Sequence, residues 1–298
     1  MSPATRKGAF LFLLLFPALG IFLLYRLIPL GWNIVLSFQD WQPMMPNEFA
    51  GLYHYEEMFI YDPAFFQVLS NTLIFLLVTP FTIIIALALA LALNGQVRGR
   101  GLYRTAIFIP YPIMIVSVGV IWRWLYDGRF GLLNYVLTSV GVIDEPYGFL
   151  AHSGTALPAV MVAAIWQLTG FFMIIILTGL QSIPNSLYEA AVIDGAGWFR
   201  QLRRITIPLL RPSLFLCGML GLIASFTSFD LIYIMTSGGP GHSTELLISY
   251  IYEQAFQLGK YDYAAALMVI MFILFMILAL IMNALSGGEA GKVDTGDV

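Results

Sequence analysis

The side chains able to do chemistry are few in this sequence, and their spacing narrows what that chemistry can be. The histidines His54, His152 and His242 stand far apart, no H-E-x-x-H pattern occurs, and the one cysteine, Cys217, lies inside an apolar run. Metal ligation and nucleophilic catalysis both need such groups clustered, so neither a metal site nor a catalytic set is read. The lysines Lys7, Lys260 and Lys292 precede Gly8, Tyr261 and Val293, which excludes the Lys-Ser/Thr step of a P-loop. Gly238, Gly239 and Gly241 around Pro240 therefore read as a turn, shaped for docking a partner, rather than as a phosphate cradle.

Two stretches remain. The first, "SFTSFDLIY" from Ser225 to Tyr233, sets hydroxyls, rings and a carboxylate inside an otherwise apolar segment. Helical spacing puts Phe226, Thr227, Asp230 and Tyr233 near one face, and Trp166 with Gln167 adds a second polar and aromatic pair in another apolar run. At membrane depth such groups are costly unless they face a cavity or a partner. The mix suits a sugar, whose hydroxyls pair with carboxylate and hydroxyl side chains while its ring packs on aromatic faces. In the alternative reading Ser and Thr bond back to their own helix, Asp230 reaches outer water, and Gln167 bonds a neighbouring helix. The second stretch is "EAAVIDGAGWFRQLRRITIPLL", Glu189 to Leu210, with three arginines and two glycines between apolar segments.

The elements that must position these residues follow from composition. The chain is 59% hydrophobic and 10% charged, with a mean hydropathy of +0.85, against about 45–50% apolar and about 25% charged in soluble domains. It is an all-α integral membrane protein by this measure. Six segments, about 10–36, 69–93, 105–125, 156–180, 213–235 and 263–285, are apolar over the roughly 20 residues that a spanning helix needs. The first is read as a retained helix, since its apolar stretch outruns a signal-peptide core. A net charge of −3 gives no general attraction for nucleic acid.

Orientation follows from Lys and Arg in the short loops, which stay on the cytoplasmic side. Arg6 and Lys7 before the first span, Arg98, Arg100 and Arg104 after the second, Arg200, Arg203, Arg204 and Arg211 after the fourth, and Lys292 in the tail are ten of the fourteen basic residues. The first connection holds Asp40, Glu48, Glu56, Glu57 and Asp62 and no basic residue. Both termini are thus expected in the cytoplasm, and Glu189–Leu210 falls in a cytoplasmic connection, about 181–212. Within it Ser186 and Glu189 fit an S-x-x-E capping box. A short helix should end at Gly195 and Gly197, and a second should set Trp198, Phe199, Leu202 and Ile205 opposite Arg200, Gln201, Arg203 and Arg204. A lipid-contacting connector, with arginines on head groups, is the plain alternative.

Here the residues resemble a known family. Glu189, Ala190 and Ala191, then Gly195, Ile205, Ile207 (where leucine is usual) and Pro208, match without a gap the cytoplasmic EAA loop of permease subunits in ABC importers. "LYRTAIFIPYPI" from Leu102 and "FDLIYIMTSGGPGHSTELLISYIYEQAF" from Phe229 are similar to segments of carbohydrate-type permeases, of the maltose and glycerol 3-phosphate kind. The resemblance implies a type I ABC importer permease fold over one transmembrane domain, residues 1–298, in a bacterial or archaeal inner membrane. It implies a second, similar permease, two copies of a cytoplasmic ATPase that holds the ATP and magnesium, and an extracytoplasmic solute-binding protein docking near Gly238–Gly241. No cofactor is implied in this chain. The loop becomes a coupling element. Glu189 faces a basic ATPase residue, Ala190 and Ala191 allow close approach, and Gly195 forms the bend; Asp194, Gly197, Arg203, Arg204, Ile205 and Pro208 complete it. A secondary transporter would carry inverted repeats and coupling carboxylates, and an intramembrane enzyme a clustered catalytic set; neither pattern is found here.

Overall fold

The computed structural model describes residues 3–41, 47–95 and 98–285; Lys292 and the end of the tail lie outside them. The chain forms two compact units, one of residues up to 63 with 251–272, the other of residues 64–250 with those from 273 onward. Among the described residues four helices are long and apolar enough to cross a bilayer: Phe12–Leu36 (α1), Phe65–Asn94 (α2), Ser153–Gln181 and Tyr261–Leu285, with a fifth if the pair Trp198–Leu209 and Arg211–Phe226, bent by 65°, is counted as one. Outside Ser153–Gln181 their large apolar side chains are extensively exposed, as suits helices whose outer surface meets lipid.

In the larger unit the middle helix is Ser153–Gln181. Between it and α2 come Arg100–Phe108 (α3), Ile115–Leu125 (α4) and Leu132–Ser139 (α5), so it is α6. It is the most deeply buried of the long helices, 61% of its apolar window being covered, and α2 packs along it. Asn185–Ile193 (α7), Trp198–Leu209 (α8), Arg211–Phe226 (α9), Phe229–Met235 (α10), Leu247–Tyr252 (α11) and Tyr261–Leu285 (α12) follow. One core gathers Phe75, Val118, Val160, Leu231 and Ile232, and another Ala90, Phe172, Ile176, Leu210 and Cys217. Small residues set the spacing. A Cβ on Gly221 would lie 2.4 Å from a Thr79 methyl, and one on Gly170 would lie 2.1 Å from the Ile107 carbonyl, so only glycine permits these approaches.

Two of the six expected spans are not continuous helices. The segment 105–125 breaks between α3 and α4 at 109–114, because Pro110 and Pro112 lack N–H donors and crowd the preceding turn. The segment 213–235 breaks at Thr227 and Ser228. There the Thr227 hydroxyl donates to the Ile223 carbonyl at 2.9 Å and the Ser228 hydroxyl to that of Ala224 at 2.7 Å, competing with the backbone ladder.

The smaller unit holds α1 and a feature outside the all-α expectation. Gln39–Asp40 (β1) pairs antiparallel with Glu48–Phe49 (β2), Gln39 opposite Phe49 and Asp40 opposite Glu48. A helical turn, Tyr53–Glu56, and a π turn, Glu57–Tyr61, follow.

Candidate functional site

The Glu189–Leu210 stretch folds as a helix–bend–helix. The expected capping box is not formed: α7 starts at Asn185 behind Pro184, whose ψ of 131° is extended, and no side chain caps it. Proline cannot continue α6, so the helix begins before Ser186, which becomes its second residue. The expected stop at Gly195 is found. Gly195 has φ +73°, its N–H donates to the Val192 carbonyl at 3.0 Å and the Ala196 N–H to that of Ala191 at 2.8 Å, which is a Schellman ending. Gly197 instead is extended, with φ −67°, and precedes α8 as its N-cap. Asp194 caps the end of α7 and is exposed.

Within α8 a π turn over Leu202–Thr206 shifts the expected stripe. Trp198 and Leu202 line a hollow of about 740 Å³ against α2, Ile205 and Pro208 are half-buried, and Arg203 and Arg204 are exposed. The two short helices are tied by Tyr188 and Thr206, whose hydroxyls lie 3.0 Å apart, and by the Gln201 amide donating to the Ala196 carbonyl at 2.8 Å. Sequence reasoning missed this tie, which has no local signal beyond a tyrosine and a threonine 18 residues apart. The tip is bare: Ile193 is 87% exposed, Trp198 67% and Phe199 68%. Glu189 is exposed, with no hydrogen bond or ion pair among the described residues, and Ala190 and Ala191 leave the surface beside it shallow.

The predicted cargo residues come together only in part. Gln167, Thr227 and Asp230 line one cavity of about 190 Å³ with Ser228 and Ile115. Gln167 donates to the Ile113 carbonyl at 3.2 Å, a group left unpaired by the break before α4. Phe226 lies elsewhere, buried with its ring edge-on to Phe275 at 5.5 Å. The single helical face assumed for Phe226 and Asp230 does not survive the break at Thr227. Tyr233 stacks on Phe229 at 5.3 Å. Trp166 lies edge-on to Trp122 at 5.7 Å and lines a separate apolar hollow.

The turn at Gly238–Gly241 is built as expected of glycine, with φ +82° at Gly238 and +54° at Gly241, and Pro240 and Gly241 are exposed at its tip. It is held by α2. Asn71 donates to the carbonyls of His242 at 2.7 Å and Glu245 at 3.0 Å, and Gln67 to that of Gly241 at 3.2 Å. These two anchors are polar residues at the start of an apolar span, a signal present in the sequence that composition and motif reading pass over.

Residues 50–287 match the family described as binding-protein-dependent transport system inner membrane component. A probable ABC transporter permease protein of Pyrococcus horikoshii is 34% identical over 91% of this chain and 93% of its own. The diacetylchitobiose uptake system permease protein of Streptomyces coelicolor is 33% identical, over 92% and 82%, and the lactose transport system permease protein of Rhizobium radiobacter 34%, over 88% and 89%. A crystal structure of a bacterial ABC transporter involved in the import of the acidic polysaccharide alginate superposes with a TM-score of 0.80 at 25% identity, covering 94% of this chain and 96% of that one. With its long apolar helices, the chain is a multi-pass membrane protein that belongs to the inner membrane components of binding-protein-dependent transport systems, a permease and not itself a catalyst.

Proposed function

We propose that this permease carries a sugar, or a related polyol or sugar phosphate, inward through one transmembrane domain of six crossings, those over 105–125 and 213–235 being broken. The observation that carries the reading is the α7–α8 hairpin: its bend is closed by internal hydrogen bonds, while Glu189 and an apolar tip are left free for a partner. An ATPase cleft with a basic residue is the matching surface. ATP and magnesium belong to that partner and no cofactor to this chain. A second, similar permease completes the path, since one copy cannot enclose it. The sugar assignment is supported by relatives named for lactose and diacetylchitobiose, and by a neighbour solved with an alginate pentasaccharide-bound periplasmic protein. Asp230, Thr227 and Gln167 contribute to the path, and Pro240–Gly241 to docking of the binding protein.

In alternating access the binding protein delivers cargo from outside, closure of the ATPases moves the hairpin and opens the permease outward, and hydrolysis resets it. Affinity purification after mild crosslinking in native membranes should recover an ATPase, a second permease and a solute-binding protein with the tagged chain. Recovery of a homo-oligomer alone rejects the reading. Topology is tested in a Cys217→Ser background: cysteines at Glu57, Asp144 and Gln257 should react with an impermeant thiol reagent from outside, and those at Gly99 and Gln201 should not. Outside labelling of Gln201 would overturn the cytoplasmic placement of the hairpin.

A further inference from the structure

His54 sits in the smaller unit, 4% exposed, with a donor–acceptor balance that its neutral form does not close. Its Nε2 lies 3.0 Å from the Gln39 carbonyl of β1. A carbonyl only accepts, so Nε2 carries a proton. The Asp262 carboxylate at the start of α12, 3.6 Å from the same nitrogen, accepts the backbone N–H groups of Trp41 at 3.1 Å and Tyr263 at 2.8 Å. Nδ1 has no hydrogen-bond partner and is buried. Its nearest polar neighbour is another acceptor, Glu57 Oε2, at 3.9 Å.

A neutral ring therefore turns a bare lone pair towards a carboxylate out of water, which is costly. One added proton converts that conflict into an imidazolium held between two carboxylates. The other groups around it do not supply this charge. Tyr53 meets the ring edge-on at 5.4 Å, Lys260 lies 3.6 Å from the other oxygen of Glu57, and Asp62 accepts the Tyr263 hydroxyl.

We propose that His54 is a proton-operated clasp, which when doubly protonated draws β1, the π turn carrying Glu57 and the start of α12 together, and when neutral lets them loosen. The stabilisation is present with both protons on the ring and is lost as rising pH strips Nδ1. On the proposed topology the acidic connection containing His54 faces outward, so the clasp answers to the acidity of the outer compartment.

The test is hydrogen exchange by mass spectrometry on the assembled transporter in phosphatidylcholine nanodiscs, following the Trp41 and Tyr263 amides that Asp262 accepts. Corrected for intrinsic rate, their protection should fall at least about ten-fold from mildly acidic to mildly alkaline pH, the scale of one charge-assisted contact. In His54→Gln the amide can still donate to the Gln39 carbonyl but cannot take up charge, so protection should be low and independent of pH. In Glu57→Gln the new amide can donate to Nδ1, so protection should stay high at alkaline pH. Equal wild-type protection at both pH values, or a pH dependence that survives in both variants, overturns the clasp. Should His54→Gln fail to assemble, the Glu57→Gln profile decides alone.

Discussion

The α7–α8 hairpin and the cavity beside Asp230 both lie where helices stop, and they treat the freed polar groups differently. In the hairpin the Gly195 and Ala196 amides close the end of α7, Gln201 takes the Ala196 carbonyl, and Tyr188 meets Thr206. The bend closes without Glu189, Arg203 or Arg204, whose charges stay available. In the cavity side chains do that work. Gln167 serves the Ile113 carbonyl, and Thr227 and Ser228 serve the last turn of α9, leaving the Asp230 carboxylate without a hydrogen bond among the described residues. The exposed hairpin keeps several free groups, whereas the cavity at a helix break keeps one.

The sharpest way to break this contrast is Glu189→Lys. Reversing one member of an interfacial charge pair costs on the order of 2–5 kcal/mol. The purified transporter should lose ATPase subunits, and uptake into proteoliposomes should fall at least ten-fold, while the chain still inserts. Normal uptake with normal ATPase content would show that the free carboxylate has no partner.

The cavity predicts a smaller, differently shaped loss. A hydrogen bond to a charged group contributes about 1.5–3 kcal/mol, so Asp230→Ala should lower the apparent cargo affinity roughly ten- to a hundred-fold. Basal ATP hydrolysis and assembly should remain, and Asp230→Asn, which retains an acceptor, should lie between. Transport titrations in which Ala and wild type coincide would make Asp230 a solvated edge residue. Gln167→Leu is the companion control. It removes the donor to the Ile113 carbonyl, so it should lower thermal stability rather than cargo affinity alone.

Backbone geometry supplies the next effect. Gly195 has φ +73°, and no neighbouring atom lies within 4 Å of the place a methyl group would take; the penalty of Gly195→Ala is therefore conformational, about 1–2 kcal/mol. The bend should fray, weakening ATPase retention several-fold in the same purification assay. Unchanged retention would mean that the angle between α7 and α8 is set by the Tyr188–Thr206 tie.

These outcomes track what a sequence can reveal. The hairpin is legible because its determinants are contiguous: a glycine at positive φ, two alanines beside a carboxylate, prolines opening the next helix. Its start is not, because Pro184 outranks a serine as a helix boundary. The cavity is legible only as a set of polar residues. Pro110 and Pro112 announce the break before α4, but Gln167 and its acceptor are 54 residues apart, and nothing local distinguishes a Thr-Ser pair that stays helical from one that ends the helix. Phe226 is lost with that break, since helical spacing cannot be carried across it.

Asp127 gives the smallest effect and bears on the same contrast, being a carboxylate already used by its own backbone. Its Oδ1 accepts the N–H groups of Arg129 and Phe130, each at 2.8 Å, in the turn after α4. Those two amides, Phe130 first, hold its carboxyl below the usual range, with Arg129's charge adding a little. A lowered carboxyl stabilises the turn above the unfolded-state range and ceases to do so as pH falls through the lower, folded-state value. Exchange protection of the Arg129 and Phe130 amides should therefore persist through the ordinary carboxylate range and disappear only under more acidic conditions. In Asp127→Asn the side-chain oxygen can still accept but no longer titrates, so that acid-dependent loss should vanish. Transport should be unchanged in Asp127→Ala, in contrast to Asp230→Ala, because no free charge is removed from the path. A transport defect in Asp127→Ala equal to that of Asp230→Ala would mean that a carboxylate's availability, as judged from its hydrogen bonds, does not mark the residues that meet cargo.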